Sequence, residues 1–235
     1  MSIRTLMRLA LLLPLTLATQ LACAESTDAP QAKPVTTAVE QPASPAKPAR
    51  SYQAGKHYQV LANPATTEDP SKIEVMEVFW YGCSHCYQFE PIIARWKDTI
   101  AADVHFARTP AVWRPVMRTH AQVYYATQVL NAPDAIQDDI FALLAESPSL
   151  EDQERFASIF ERHGIAREDY LKAVNSFGVK SKVSQGEKRA SKHYKIQGTP
   201  EIIVNGKYRI SGRMAGGQAA MLSVADYLID LERKK

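Results

Sequence analysis

Two cysteines separated by two residues, in the segment Cys83-Ser84-His85-Cys86, stand where a buried strand gives way to a helix. The segment 73–80 (IEVMEVFW) is rich in β-favouring apolar residues and predicts a strand that runs into the core. From residue 83 to about 101 the apolar residues recur at helical spacing: Phe89, Ile92, Ile93, Trp96 and Ile100. Both cysteines are therefore predicted to lie in the first turn of a helix that directly follows a central strand.

This position favours redox chemistry at the two cysteines. Free backbone N–H groups and the positive end of the helix dipole stabilise a thiolate on the first cysteine. We therefore predict that Cys83 is the nucleophile and that Cys86, more buried, resolves the mixed disulfide. His85 can hold positive charge or donate a hydrogen bond near the Cys83 sulfur, which favours the thiolate further. A low pKa at Cys83 stabilises the reduced form, so the pair is predicted to be an oxidant.

The first 24 residues resemble a cleaved export signal. Arg4 and Arg8 precede an uncharged, leucine-rich run, and Ala22-Cys23-Ala24 fits the small-x-small pattern of a cleavage site. The competing interpretation is a lipoprotein signal with an acylated Cys23, but such signals favour a leucine where this chain has Gln20. We expect cleavage after Ala24 and a periplasmic mature protein.

The cysteine count supports chemistry over structure, because only two of the three cysteines lie beyond residue 24. A disulfide that closes a two-residue loop adds little stability. Structural zinc needs four ligands, and the chain has neither a second cysteine pair nor clustered histidines, so we expect no metal. No other cofactor is expected either.

The chain organises into a tether and one domain with an insertion. Residues 25–55 are rich in proline and alanine and predict a disordered linker. Helical patterns follow near 115–130, 134–145, 151–163, 167–176 and 179–193. The segments 201–204 and 207–211 predict a hairpin around Asn205-Gly206, and an amphipathic helix follows Gly216-Gly217. The expected order is β-α, a helical block, then β-β-α.

Charge excludes two classes of partner. Residues 1–24 carry two of the 28 basic residues and none of the 25 acidic ones, so the net charge falls from +3 to +1 without them. The remaining charges alternate in sign along the chain, whereas nucleic-acid or anionic-membrane binding needs a basic cluster. We expect neither partner.

The segments FWYGCSHCYQFEP and GTPEIIVNGKYRI together resemble the DsbA family of thiol:disulfide interchange proteins. The resemblance implies an α/β thioredoxin fold with an inserted all-helical subdomain. It places the two parts of the thioredoxin-like domain at 56–112 and 193–235 and the insertion at 113–192. It also implies that Pro200 is a cis-proline beside the cysteines, where the preceding Thr199 presents its backbone to an extended substrate peptide.

Glu77 is the remaining candidate for the site. Alternation along the strand puts Glu77 on the same face as Val75 and Phe79, and that face is expected to be buried. A buried carboxylate has a raised pKa and can exchange protons with Cys86, and the resemblance implies the same role. The alternative is a salt-bridged or edge-exposed glutamate.

The resemblance implies that the chain oxidises reduced exported proteins as a monomer and is reoxidised by a DsbB-like membrane quinone reductase. Two departures, Ser84 for a common proline and Thr199 for a common valine, leave the redox potential open. A disulfide isomerase or reductase of the same fold is one alternative function. A non-catalytic chaperone or binding module is another, although such a module would not need both cysteines, His85 and Glu77.

Overall fold

The computed structural model describes residues 51–235, so the predicted signal peptide (1–24) and nearly all of the predicted linker (25–55) lie outside the described residues. The described part is built on one five-stranded sheet with helices on both faces. Among the helices of residues 51–235, none is long and apolar enough to cross a membrane.

The sheet places the strand that precedes the cysteines at its centre. The strands are β1 (Gln59–Val60), β2 (Ile73–Phe79), β3 (Val104–Pro110), β4 (Glu201–Val204) and β5 (Tyr208–Ser211). Their order is β1-β5-β4-β2-β3, with β2 and β3 parallel and the other pairs antiparallel. The predicted β4-β5 hairpin is present, and its turn residues Asn205 and Gly206 have φ angles of 50° and 63°, which this dipeptide tolerates.

Five of the eight helices of residues 51–235 form the insertion between β3 and β4. The helices are α1 (Ser84–Lys97), α2 (Pro115–Val129), α3 (Ile136–Glu146), α4 (Gln153–Arg162), α5 (Arg167–Asn175), α6 (Phe177–Lys188), α7 (Gly212–Ala215) and α8 (Gln218–Arg233). A π-helical turn, Arg189–His193, continues α6, so the helix predicted at 179–193 changes hydrogen-bonding pattern before its end. The predicted helical block therefore corresponds to α2–α6.

Each of three buried clusters includes residues of β2. Val75 and α8 form one cluster with Phe89 of α1, and Met76 packs on the other sheet face against α2 and the π-helical turn. The third cluster is the core of the insertion, which also contains Phe79, Tyr81 and Cys86. The second cysteine is thus a core residue of the insertion.

Three elements were not predicted: β1, the short helix α7, and β3. The edge strand β3 matters most, because it runs parallel to β2 along the whole of that strand. Val104 and Phe106 lie on one face of β3, and the next residue on that face is Arg108, where the pattern of a buried strand would require an apolar residue. That arginine faces Glu77, its partner in the register. The positive charge of Arg108 obscured the strand in the sequence, and its ion pair with the neighbouring strand explains why the strand tolerates it.

Candidate active site

The first turn of α1 presents Cys83 at the helix N-terminus. Cys83 is the N-cap residue, and its extended backbone donates an N–H hydrogen bond of 3.0 Å to the Trp80 carbonyl. The turn before it needs a glycine, because a Cβ on Gly82 would lie 2.4 Å from the Trp80 ring and 2.9 Å from the Pro148 carbonyl oxygen. The strand, the tight turn and the insertion together place this sulfur at the positive end of the helix.

Hydrogen bonds lower the pKa of the Cys83 thiol to about 5. The largest cause is the hydrogen bond from the Cys86 thiol; a side-chain hydrogen bond from Thr199 and the backbone N–H groups of Cys86 and His85 add to it, while burial opposes them. Each of these donors stabilises the thiolate more than the thiol. Cys83 is partly exposed, so the anion remains accessible.

Cys86 has the opposite environment. Its side chain is fully buried, and burial raises the pKa of its thiol well above the usual range, with the hydrogen bond and charge of Cys83 acting in the same direction. The two cysteines are free thiols in this structure. One sulfur is therefore suited to be an anion at neutral pH and the other to keep its proton.

The His85 side chain is exposed to solvent. Within residues 51–235, its ring donates no hydrogen bond to the Cys83 sulfur; the backbone N–H of His85 contributes instead. Its carbonyl accepts a hydrogen bond of 2.5 Å from Gln218 Nε2 of α8. The structure thus places the backbone of His85 in the site, and the role of its imidazole stays a prediction.

The Thr199–Pro200 peptide bond is cis, as the resemblance implied for Pro200. Thr199 contacts the reactive sulfur in two ways: its carbonyl oxygen lies 3.4 Å from Cys83 Sγ, and its side chain hydrogen-bonds the same sulfur. The carbonyl can accept from the thiol only, whereas the side-chain contact favours the thiolate. A valine at this position would keep the first contact and lose the second.

Glu77 lies in a buried cluster with Arg108 and Glu90. Arg108 Nε donates to Glu77 Oε2 at 2.7 Å, and Arg108 Nη2 donates to both carboxylate oxygens of Glu90 at 2.8 and 2.9 Å. Glu77 is fully buried, and its other oxygen, Oε1, has no hydrogen-bond partner within residues 51–235. The expected burial and the alternative, a salt bridge, are thus both present at Glu77.

One guanidinium faces two carboxylates in this cluster, the fully buried Glu77 and the largely buried Glu90. A single positive charge cannot balance both, so the cluster retains a proton to unusually high pH. Burial raises the pKa of Glu77 and raises that of Glu90 to about 7, while Arg108 opposes both shifts. Arg108 and Glu90 were not predicted as site residues. Glu90 lies in the motif after Cys86 and is followed by Pro91, but its link to Glu77 runs through Arg108 and is visible only in the structure.

The cluster predicts a stability that falls as pH rises. A carboxyl group with a higher pKa in the folded protein stabilises the fold below its unfolded pKa, and that stability is lost as pH rises through the folded pKa. For Glu90 the window extends from about 4.5 to about 7. We expect the free energy of unfolding of the disulfide form to fall by about 2 kcal/mol across this window.

Urea unfolding at half-unit pH intervals measures this slope, with Glu90→Gln as the control that mimics the protonated state. The disulfide form is required because the thiolate of Cys83 gives the reduced protein an opposite slope between about pH 5 and 9. A Glu90→Gln protein with the slope of the wild type would contradict the assignment.

The rest of the site leaves two expectations open. A cavity of about 640 Å³ beside β3 is lined by Glu90 and Arg108, so solvent reaches the outer end of the charge cluster. The binding of an extended substrate peptide beside Pro200 stays a prediction. In the described part of the chain, no group of three or more histidine, cysteine or acidic side chains converges as a metal site would require.

Comparisons with known proteins agree on one family. A family model described as a DSBA-like thioredoxin domain matches residues 93–228. The thiol:disulfide interchange protein DsbA of Pseudomonas aeruginosa is 39% identical over 186 residues, 79% of this chain and 88% of that protein. The DsbA of Azotobacter vinelandii is 40% identical over 180 residues, 76% of this chain and 84% of that protein.

Solved structures give the same result. The crystal structure of Pseudomonas aeruginosa DsbA matches with a TM-score of 0.73 and 37% identity, over 78% of this chain and 95% of that one. The oxidoreductase DsbA from Xylella fastidiosa matches with a TM-score of 0.72 and 27% identity, over 78% and 99%. These matches confirm the predicted thioredoxin fold with a helical insertion.

Proposed function

The chain belongs to the DsbA-like thioredoxin-domain family and is a thiol:disulfide oxidoreductase, and we propose that it works as an oxidase that donates the Cys83–Cys86 disulfide to reduced proteins. The observation that carries this direction is the set of hydrogen bonds that lowers the pKa of Cys83 to about 5. A stabilised thiolate favours the reduced form of the pair, and a pair that favours reduction oxidises its partners.

The size of the expected effect supports the oxidase over the reductase. A pKa of about 5, against an ordinary value near 9, favours the reduced form by about 2 kcal/mol at pH 7 once solvent screening is allowed for. This corresponds to a potential about 40 mV more oxidising than that of an unperturbed pair.

The exchange proceeds in two steps that balance. A substrate thiolate attacks Cys83 Sγ; the Cys83–Cys86 bond breaks, a mixed disulfide forms at Cys83, and Cys86 leaves with the bonding electron pair. Cys86 then takes a proton, for which Glu77 is the buried acid in the site. A second substrate thiolate attacks the substrate sulfur of the mixed disulfide, and Cys83 leaves as its stabilised thiolate. The substrate loses two electrons and the enzyme pair gains them.

Thiol titration and a glutathione equilibrium test this proposal. We expect the thiolate absorbance of the reduced protein near 240 nm to rise with a midpoint near pH 5, and Cys83→Ser to remove this transition. The equilibrium with glutathione should lie toward the reduced enzyme. An ordinary cysteine pKa together with a reducing, thioredoxin-like equilibrium would favour the reductase or isomerase alternative, and failure to exchange at all would favour a binding module.

The proposal includes a location and partners. The signal-like residues 1–24 support export to the periplasm, where reduced exported proteins are the substrates of a monomeric enzyme and a DsbB-like quinone reductase reoxidises it. Mass spectrometry of the mature N-terminus tests the export step: a chain that begins at Glu25 supports cleavage after Ala24, and a lipid-modified Cys23 supports a membrane anchor instead.

A further inference from the structure

A buried ion pair follows the cis-proline directly and takes no part in the exchange steps. Glu201 is the first residue of β4, immediately after Pro200, and Arg209 lies on β5. The register pairs Ile203 with Arg209, so Glu201 and Arg209 are diagonal neighbours on one sheet face. Their side chains are 5% and 6% exposed, and Glu201 Oε2 lies 3.7 Å from Arg209 Nε.

Both members of the pair also hold the backbone that leads to the cis-proline. A carboxylate oxygen of Glu201, Oε1, accepts a hydrogen bond of 3.3 Å from the N–H of Gln197, and the N–H of Gly198 donates to the same carboxylate. Arg209 Nη1 donates to the Lys195 carbonyl, and its Nη2 donates to Gln59 Oε1 at 2.6 Å. Within the segment 195–198, backbone N–H groups therefore bind Glu201 and a backbone carbonyl binds Arg209.

This segment belongs to no helix or strand, and its backbone is tied to the preceding turn by one hydrogen bond, from the Ile196 N–H to the Ala190 carbonyl at 3.2 Å. It follows the π-helical turn and precedes β4, and Lys195 has a left-handed φ of 52°, a conformation that non-glycine residues rarely adopt. A buried ion pair adds little net stability compared with apolar residues of similar size, so stability alone is a weak reason for this pair. Its contacts converge instead on the residues just before Thr199, which contacts Cys83.

We propose that Glu201 and Arg209 are positioning residues for the exchange reaction: they fix the segment 195–198 and so hold Thr199 against Cys83 Sγ. The inference rests on the proposed role of Cys83 as the sulfur that forms the mixed disulfide. Neither side chain touches the reacting atoms in this role. Their effect passes through the backbone to the Thr199 carbonyl and side chain.

The test compares Glu201→Ala with a matched control. Glu74→Gln is the control, because Glu74 is also a fully buried glutamate with an unpartnered oxygen among the described residues. Its other oxygen accepts a hydrogen bond from the Glu68 N–H and none from the segment 195–198. For each variant we measure the Cys83 pKa, the glutathione equilibrium constant, amide hydrogen exchange at Gln197 and Gly198, and the free energy of unfolding.

We expect Glu201→Ala to raise the Cys83 pKa by about one unit, to make the pair about tenfold less oxidising at pH 7, and to speed exchange at both amides. Glu201→Gln, whose amide oxygen can still accept from Gln197, should show less than half of the pKa shift. Glu74→Gln should keep the wild-type pKa whatever its stability. In a Thr199→Val background the effect of Glu201→Ala should shrink, because the two residues act in series.

A second variant covers the case in which Glu201→Ala does not fold. The double variant Glu201→Gln/Arg209→Met buries no charge, so it avoids the penalty of an unpaired ion, and it still removes the donor to Lys195. It should make the pair about threefold less oxidising. If either folded variant keeps the wild-type Cys83 pKa and equilibrium, the inference is wrong. An ordinary pKa in the wild-type protein would instead contradict the proposed function.

Discussion

Cys83→Ser is expected to abolish disulfide transfer, with the rate of substrate oxidation falling by on the order of 10³-fold or more to the uncatalysed background. The variant has no Cys83–Cys86 bond to donate, and a serine hydroxyl does not ionise near neutral pH. A reduced peptide with two cysteines, followed by mass as its disulfide forms, measures the loss. Cys86→Ser is the matched control, since it removes the other sulfur of the same bond.

The two variants differ in what they accumulate. Cys86→Ser keeps the partly exposed Cys83, and we expect it to form a stable mixed disulfide with glutathione or with a substrate cysteine. Cys83→Ser leaves only the fully buried Cys86, whose raised pKa makes it a poor nucleophile, so it should form no such adduct. If Cys83→Ser still oxidised the peptide, the assignment of the two sulfurs would be wrong.

Arg108→Met is expected to give the largest loss of stability, about 3–5 kcal/mol in the free energy of unfolding at pH 8. The guanidinium is the hydrogen-bonded partner of both Glu77 and Glu90, so its removal leaves a fully buried and a largely buried carboxylate without their paired cation. The methionine fills a similar volume, which separates the lost charge from a cavity. Denaturant unfolding of the disulfide form measures the change.

Two observations would show that the loss of stability in Arg108→Met comes from the missing charge. The loss should shrink toward pH 5, where both carboxyl groups, with their raised pKa values, can hold protons. The triple variant Glu77→Gln/Glu90→Gln/Arg108→Met should recover most of the lost stability, because no buried charge remains. If the triple variant were as unstable as Arg108→Met, Arg108 would be acting by packing.

Local pattern was sufficient for much of the fold. The apolar run of β2, the helical spacing of α1, and the Asn205-Gly206 turn each specify structure within a few residues. The strand β3 was missed because its inward position carries Arg108, which is tolerated only opposite Glu77. A pattern based on burial of apolar residues cannot show a charge whose partner lies 31 positions away.

The residues of the candidate site also divide into those that local sequence predicts and those that depend on distant partners. The cysteines and the cis-proline come together as the motif and the resemblance implied, and Glu77 is buried as expected from alternation along β2. The contacts of Arg108, Glu201 and Arg209 depend on the register of two strand pairs, β2–β3 and β4–β5. The contact of Glu90 depends on how α1 packs against β3, and one sequence reveals neither. The orientation of His85 also depends on tertiary structure, because the first turn of a helix can point a side chain toward the sulfur or toward solvent.

The membership of Cys86 in the core of the insertion changes what the four-residue motif can be said to do. The helices of the insertion provide the dry surroundings that stop this sulfur from ionising, although they contribute no reacting group. Loosened packing there would admit water, and Cys86 would begin to compete with Cys83 for the negative charge. The difference in acidity between two neighbouring sulfurs therefore depends on how tightly the insertion packs against α1.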